Sequence, residues 1–314
     1  MTIRKPPRLR PGDTVAVVAT ASPWENRSEL LRAVAALESW DLQVVLGDHV
    51  SDRHGYLAGQ DEDRAADLHR ALADPEVRAV FCLQGGFGSP RLIPLFDPEV
   101  FAGPSKAICG YSDVTTVHLA VHRWNDTISF YSNGASGLGS PEVTDWSRET
   151  LHRALFSDQP FGEIPASPDD PYVRTIRGGV VKGRLAGGCA GLLSSSIGTA
   201  VEVETEGRIL VLEEISLDTE DFDAILTHLR NAGKLARAAG IVVGDVRTKK
   251  SGYLTELSTE DVLEELLGPL GIPVIYGLPV GHGKHHAAVP LGAVATLDAD
   301  AGRLVVEEVV TADP

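Results

Sequence analysis

The chain has 314 residues, enough for one large or two ordinary domains, and a hydrophobic content of 43% can build a sizeable core. Lys and Arg number 28 against 44 Asp and Glu, a formal charge of −16, which argues against a nucleic-acid or anionic-membrane partner. Three cysteines without C-x-x-C spacing argue against a disulfide scaffold, and no apolar run approaches membrane-spanning length, so a cytoplasmic protein is expected.

The first half alternates strand and helix patterns. Residues 14–21 are an apolar strand, and 27–39 carry helical spacing at Leu30, Leu31, Val34 and Leu37. Strand 42–46, helix 62–72 and strand 79–83 follow, and then the glycine loop Gly85-Gly86-Phe87-Gly88. Residues 107–109 form a further strand, and a helix opens at Asp113. Such alternation implies a parallel sheet covered on both faces, with ligands bound beyond the carboxyl ends of the strands. Both the glycine loop and Ser112 fall at such ends.

Residues 157–179, with Pro160, Pro165, Pro168 and Pro171, read as a linker. Beyond them, strands are expected at 180–185, 201–203, 209–212, 241–243, 274–276 and 293–297, and helices at 192–197, 221–231 and 259–267. The expected fold is therefore α/β. An N-terminal flavodoxin-like or Rossmann-like parallel-sheet domain spans 1–156, and a second, mixed and β-rich α/β domain spans 180–314.

Ser112 sits where a strand turns sharply into a helix. That position exposes a hydroxyl above a sheet and offers helix N-terminal N–H groups to a developing oxyanion, although it also suits a plain helix cap. A serine nucleophile needs a base, and the base needs an orienting acid. Five histidines (His69, His118, His122, His152 and His228) lie on charged helical patterns and are expected on solvated faces or at helix ends. His282 differs, because Gly281 and Gly283 flank it in a loop just after a strand and leave its ring uncrowded. With His285 and His286 it makes H-x-x-H-H, which has no matching cysteine or carboxylate ligand, so no metal is expected. Glu213 closes an apolar strand; Glu214 is the decoy beside it, and alternation points the two opposite ways. Gly85–Gly88 lacks phosphate-loop spacing and fits a backbone oxyanion donor better. Arg91 is placed either to anchor a substrate carboxylate or to brace that loop.

Together these motifs resemble the LD-carboxypeptidase family of serine peptidases, which includes microcin C immunity peptidases. The resemblance runs over nearly the whole chain. It comprises Leu9-Arg-Pro-Gly-Asp-Thr-Val-Ala-Val-Val-Ala19, Gly55-Tyr-Leu-Ala-Gly59, Gln84-Gly-Gly-Phe-Gly88 with Arg91, and Gly110-Tyr-Ser-Asp-Val-Thr115. Gly187-Gly188, Gly198-Thr199, Leu212-Glu213, Leu226-Thr227 through Gly233, Gly281-His-Gly283 and Leu291-Gly292 complete it. It implies a Ser-His-Glu triad of Ser112, His282 and Glu213, an oxyanion hole from the N–H groups of Gly86 and Asp113, and substrate contacts at Gly85, Phe87 and Arg91. It also implies an interdomain cleft, no cofactor, a small peptide-like substrate and a homodimer. The substrate would be an L,D-peptide of cell-wall recycling or, in the immunity branch, an aminoacyl nucleotide. Trp146 and Tyr172 are candidates to stack on a nucleobase. The chain departs from the family at Phe130-Tyr-Ser-Asn-Gly-Ala-Ser136, where His-Gly-Pro is common, and at Gly187-Gly-Cys-Ala190, in place of Gly-Gly-Asn-Leu. A non-catalytic two-lobed binding protein is the alternative from another class.

Overall fold

The computed structural model describes residues 3–170, 172–249 and 257–313. The first half runs β1 (Thr14–Val18), α1 (Arg27–Glu38), β2 (Gln43–Leu46), α2 (Asp61–Ala73), β3 (Val77–Cys82), α3 (Pro98–Phe101), β4 (Ala107–Gly110), α4 (Thr115–Trp124), β5 (Ser129–Tyr131), α5 (Ala135–Gly139) and α6 (Asp145–Phe156). The second half runs β6 (Gly162–Glu163), β7 (Arg174–Arg177), β8 (Val180–Cys189), α7 (Ala190–Ser196), β9 (Arg208–Asp218), α8 (Thr219–Asn231), α9 (Lys234–Arg237), β10 (Gly240–Lys249), α10 (Thr259–Leu267), β11 (Val274–Tyr276), β12 (Val289–Leu291), β13 (Val294–Asp298) and β14 (Arg303–Val306).

Two sheets result. The first has the order β12-β5-β4-β3-β1-β2, and β1 to β5 are parallel. The second has the order β6-β14-β13-β8-β9-β10-β11-β7, with β8 to β11 parallel at its centre and antiparallel strands outside them. Successive residues of β1 and β9 go to opposite sides. Val15, Val17, Ile209 and Val211 enter one hydrophobic cluster; Ala16, Val18, Leu210 and Leu212 enter the other. Each cluster takes residues from both sheets, so the two halves share their cores. Among the described residues no helix is long and apolar enough to cross a membrane.

Several expectations need correction. Val201 and Val203 are buried, but residues 201–203 form no strand, because no neighbouring segment pairs with them. The segment 157–179 supplies β6 and β7, which edge the second sheet. From the far end of the chain, β12 pairs antiparallel with β5 and closes the first sheet. His118 is buried rather than solvated, because α4 packs against both halves. Its ring nitrogens meet Ser129 Oγ at 2.8 Å and the Gly110 carbonyl at 2.9 Å. Burial holds this imidazole down at about 4, so it is neutral at physiological pH.

Candidate active site

β4 ends at Gly110, and the chain turns through Tyr111 and Ser112 into α4. Ser112 has φ 60°, in the left-handed region that a residue with a Cβ enters only under strain. Such strain is the mark of a serine held on a sharp strand-to-helix turn. Thr115 fixes the turn from within, since its hydroxyl donates to the Ser112 carbonyl at 2.7 Å. The same oxygen accepts the Cys189 N–H at 3.0 Å and so ties the turn to the end of β8. Asp113 Oδ2 accepts the Ser89 N–H at 2.7 Å, which joins the turn to the segment after the glycine loop. Burial raises the Asp113 carboxyl above its usual range.

Glu213 lies inside β9. That strand continues to Asp218, so Glu213 does not close it as expected. The side chain is fully buried. Its Oε2 meets His282 Nδ1 at 2.7 Å, and its Oε1 accepts the Tyr131 hydroxyl at 2.6 Å. A carboxylate accepts only, which assigns the proton at that contact to Nδ1 and leaves Nε2 of a neutral ring as the base. Gly281 makes the contact possible: its φ is 122°, and a Cβ there would stand 2.6 Å from Glu213 Oε2. Asp245 steadies the other side of the histidine by accepting the Gly283 N–H at 2.9 Å.

Ser112 and His282 line one cleft of about 290 Å³, together with Ser22, Gln84, Gly85, Gly86, Tyr111, Gly134, Ser136 and Gly137. Among the described residues no hydrogen bond joins Ser112 to His282 directly, and apo sites commonly close that distance only with substrate bound. Residues from both sheets thus meet at one opening. A serine, an imidazole and a buried carboxylate that orients the imidazole are the parts of nucleophilic acyl transfer.

The remaining expected site residues divide. Gly85 and Gly86 line the cleft, whereas Phe87 and Arg91 do not. Phe87 is 70% exposed and stands edge-on to Tyr56. Arg91 clasps Asp61 through Nε at 2.9 Å and Nη2 at 2.7 Å, and Asp61 also binds the buried Arg64. The guanidinium thus ties the segment after the loop to the start of α2, and the Asp61 carboxyl is held low by it. Glu214 is no surface carboxylate. It is buried, and it accepts the Gly191 N–H in the first turn of α7 at 2.8 Å and the Ile215 N–H at 2.9 Å. His285 turns to Thr144 and Asp169, and His286 is buried between Tyr111 and Tyr131, so the H-x-x-H-H nitrogens do not converge. Trp146 packs edge-on to His285, and Tyr172 lies exposed along a different cleft with Lys284.

Sequence reasoning did not single out Ser22, and it held Tyr111, Tyr131 and Ser136 only as members of the segments Gly110–Thr115 and Phe130–Ser136, with no role for any of them. Tyr131 lay in the departing segment 130–136, where only the long-range pairing of β5 with β4 reveals its place.

Comparison with known proteins agrees with this architecture. The profile of the LD-carboxypeptidase N-terminal domain matches residues 15–132, and that of the LD-carboxypeptidase C-terminal domain matches residues 182–297. A probable murein peptide carboxypeptidase of Bacillus subtilis is 36% identical over 96% of this chain and 94% of its own length. The crystal structure of a muramoyltetrapeptide carboxypeptidase from Oxalobacter formigenes superposes with a TM-score of 0.81 at 26% identity, over 96% of this chain and 99% of that one. The microcin C7 self-immunity protein in complex with glutamyl sulfamoyl guanosine shares the fold, with a TM-score of 0.86 at 20% identity over 98% and 99% of the two chains.

Proposed function

Because the chain belongs to the LD-carboxypeptidase family, we propose that it is a serine-type carboxypeptidase acting on a short L,D-peptide of the cell-wall recycling kind. The observation that carries this reading is that His282, paired with the buried Glu213, shares a cleft with a serine held at φ 60°. Ser112 Oγ attacks the scissile carbonyl while His282 Nε2 takes its proton. The N–H groups of Gly86 and Asp113 receive the oxyanion. His282 then protonates the leaving amine, Glu213 stabilises the imidazolium, and water releases the acyl group by the same route in reverse. No metal or organic cofactor enters this scheme.

The murein-peptide names of the Bacillus and Oxalobacter relatives support the peptide substrate. A narrow cleft lined by glycine, serine and glutamine suits a short peptide end. The second reading is cleavage of an aminoacyl nucleotide. It is favoured by the likeness to the immunity protein bound to glutamyl sulfamoyl guanosine, a likeness of fold. Incubation with a murein tetrapeptide ending in D-alanine and, separately, with an aminoacyl sulfamoyl adenosine decides between them. Release of D-alanine alone supports the first reading; cleavage of the nucleotide alone overturns it. The resemblance carries the further proposal of a homodimer, which the mass in solution by light scattering tests.

A further inference from the structure

We propose that Tyr131 is a positioning residue that locks the backbone of the nucleophile to the acid, by accepting the Ser112 N–H and donating to Glu213. The inference rests on the catalytic reading above and adds a fourth member to it. Tyr131 is the last residue of β5, and the parallel register sets it against Gly110, two residues before Ser112. The sheet therefore delivers the phenol to the nucleophile turn. Ser112 N–H donates to Tyr131 Oη at 2.9 Å, and Tyr131 Oη donates to Glu213 Oε1 at 2.6 Å. From there Glu213 Oε2 meets His282 Nδ1 at 2.7 Å.

The directions are fixed by chemistry. A phenol has one proton, and a carboxylate only accepts, so the proton points at Glu213 and the lone pair faces the amide. Tyr131 and Glu213 are both fully buried, so water does not substitute for either bond. Burial beside Glu213 holds the Tyr131 phenol far above its usual range, which keeps it a donor.

Two effects follow. The bond to the Ser112 amide holds a backbone at φ 60° that a serine does not adopt unaided. The bond to Oε1 fixes the carboxylate so that Oε2 meets the imidazole. The other titratable groups around the pair are Tyr111, Cys189, Glu214, Asp245 and His286. Among the described residues none of them hydrogen-bonds to a Glu213 or His282 side-chain atom, so the phenol is the group whose loss acts directly on the pair. Without it, Glu213 Oε1 loses its donor, and nothing on that side holds Oε2 against His282 Nδ1.

The test is Tyr131→Phe, which keeps the ring and removes the hydroxyl. The readout is the rate constant for labelling of Ser112 by a fluorophosphonate, followed by intact mass across the pH range, with kcat and KM on the murein tetrapeptide beside it. We expect labelling and kcat to fall about 10- to 100-fold while KM stays within about threefold. Should Tyr131→Phe fail to fold by circular dichroism, Tyr131→His, which keeps a donor and an acceptor at that site, is expected to label faster than Tyr131→Ala. Labelling and kcat equal to wild type, a loss confined to KM, or Tyr131→His no better than Tyr131→Ala, overturns the proposal. A wild type that does not label at Ser112 overturns the catalytic reading beneath it, which separates the two failures.

Discussion

Replacing Glu213 by glutamine exchanges one oxygen for an NH2 group and inverts the logic of the site. The amide oxygen can still accept the Tyr131 hydroxyl now found 2.6 Å from Oε1. The amide nitrogen then faces His282 Nδ1, 2.7 Å from the present Oε2, and it donates where a carboxylate accepts. A neutral imidazole answers by placing its proton on Nε2. It can no longer take the Ser112 proton, and no negative charge remains to stabilise the imidazolium. The loss in kcat is expected on the order of 10³- to 10⁴-fold, about 4–5.5 kcal/mol of transition-state stabilisation, with KM within about threefold. The folded state keeps its volume and its bond to Tyr131, so the urea midpoint should barely move. Glu214→Ala is the control, and its effect should be opposite in kind. It leaves the partly buried Gly191 and Ile215 N–H groups without their acceptor, which costs about 1–3 kcal/mol of stability while kcat of the folded protein stays within about fivefold. The assays are D-alanine release from a murein tetrapeptide and urea unfolding. A Glu213→Gln enzyme within tenfold of wild type, or a Glu214→Ala enzyme more impaired in kcat than Glu213→Gln, would refute the reasoning.

Two further outcomes are expected. Gly281→Ala puts a methyl 2.6 Å from Glu213 Oε2 at a φ of 122°, so it should lower kcat at least about 10²-fold and reduce the melting temperature as well; a variant with wild-type kcat contradicts the close approach. His286 is buried with neither ring nitrogen hydrogen-bonded, and burial holds it down at about 3 against an ordinary 6.5. The unfolded chain therefore takes up the proton first as the pH falls. The associated stability is full above about pH 6.5 and is lost toward pH 3, at about 1.4 kcal/mol per pH unit. In His286→Phe the slope of unfolding free energy between pH 6 and 4 should flatten by about that amount, and a slope equal to wild type counts against it.

What could be read from the sequence follows how local each cause is. The Ser112 turn was legible because an apolar strand, Gly110 and a helical pattern lie within about a dozen residues. The alternation of β1 to α4 was legible for the same reason. Glu213 was recognised as a chemistry-bearing acid, but β9 was cut short because the pair Glu213-Glu214 ends its apolar run, whereas the strand continues through both to Asp218. Short β12 contains Pro290, which reads as a loop residue and is tolerated because the strand lies at a sheet edge. Arg91 was left between anchor and brace because Asp61 lies 30 residues away. Tyr131 and Glu213 are 82 residues apart, and His118 owes its burial to a second sheet; no local pattern contains either fact.

The central claim is that Ser112 is a nucleophile activated by His282. Intact-mass analysis after treatment with a fluorophosphonate tests it most directly, on wild type, Ser112→Ala and His282→Ala. The account predicts a single adduct on wild type that maps to Ser112, no adduct on Ser112→Ala, and labelling of His282→Ala slowed by at least about 10²-fold. An adduct that persists in Ser112→Ala, or labelling of wild type no faster than of His282→Ala, would contradict it and favour a two-lobed binding protein over an enzyme.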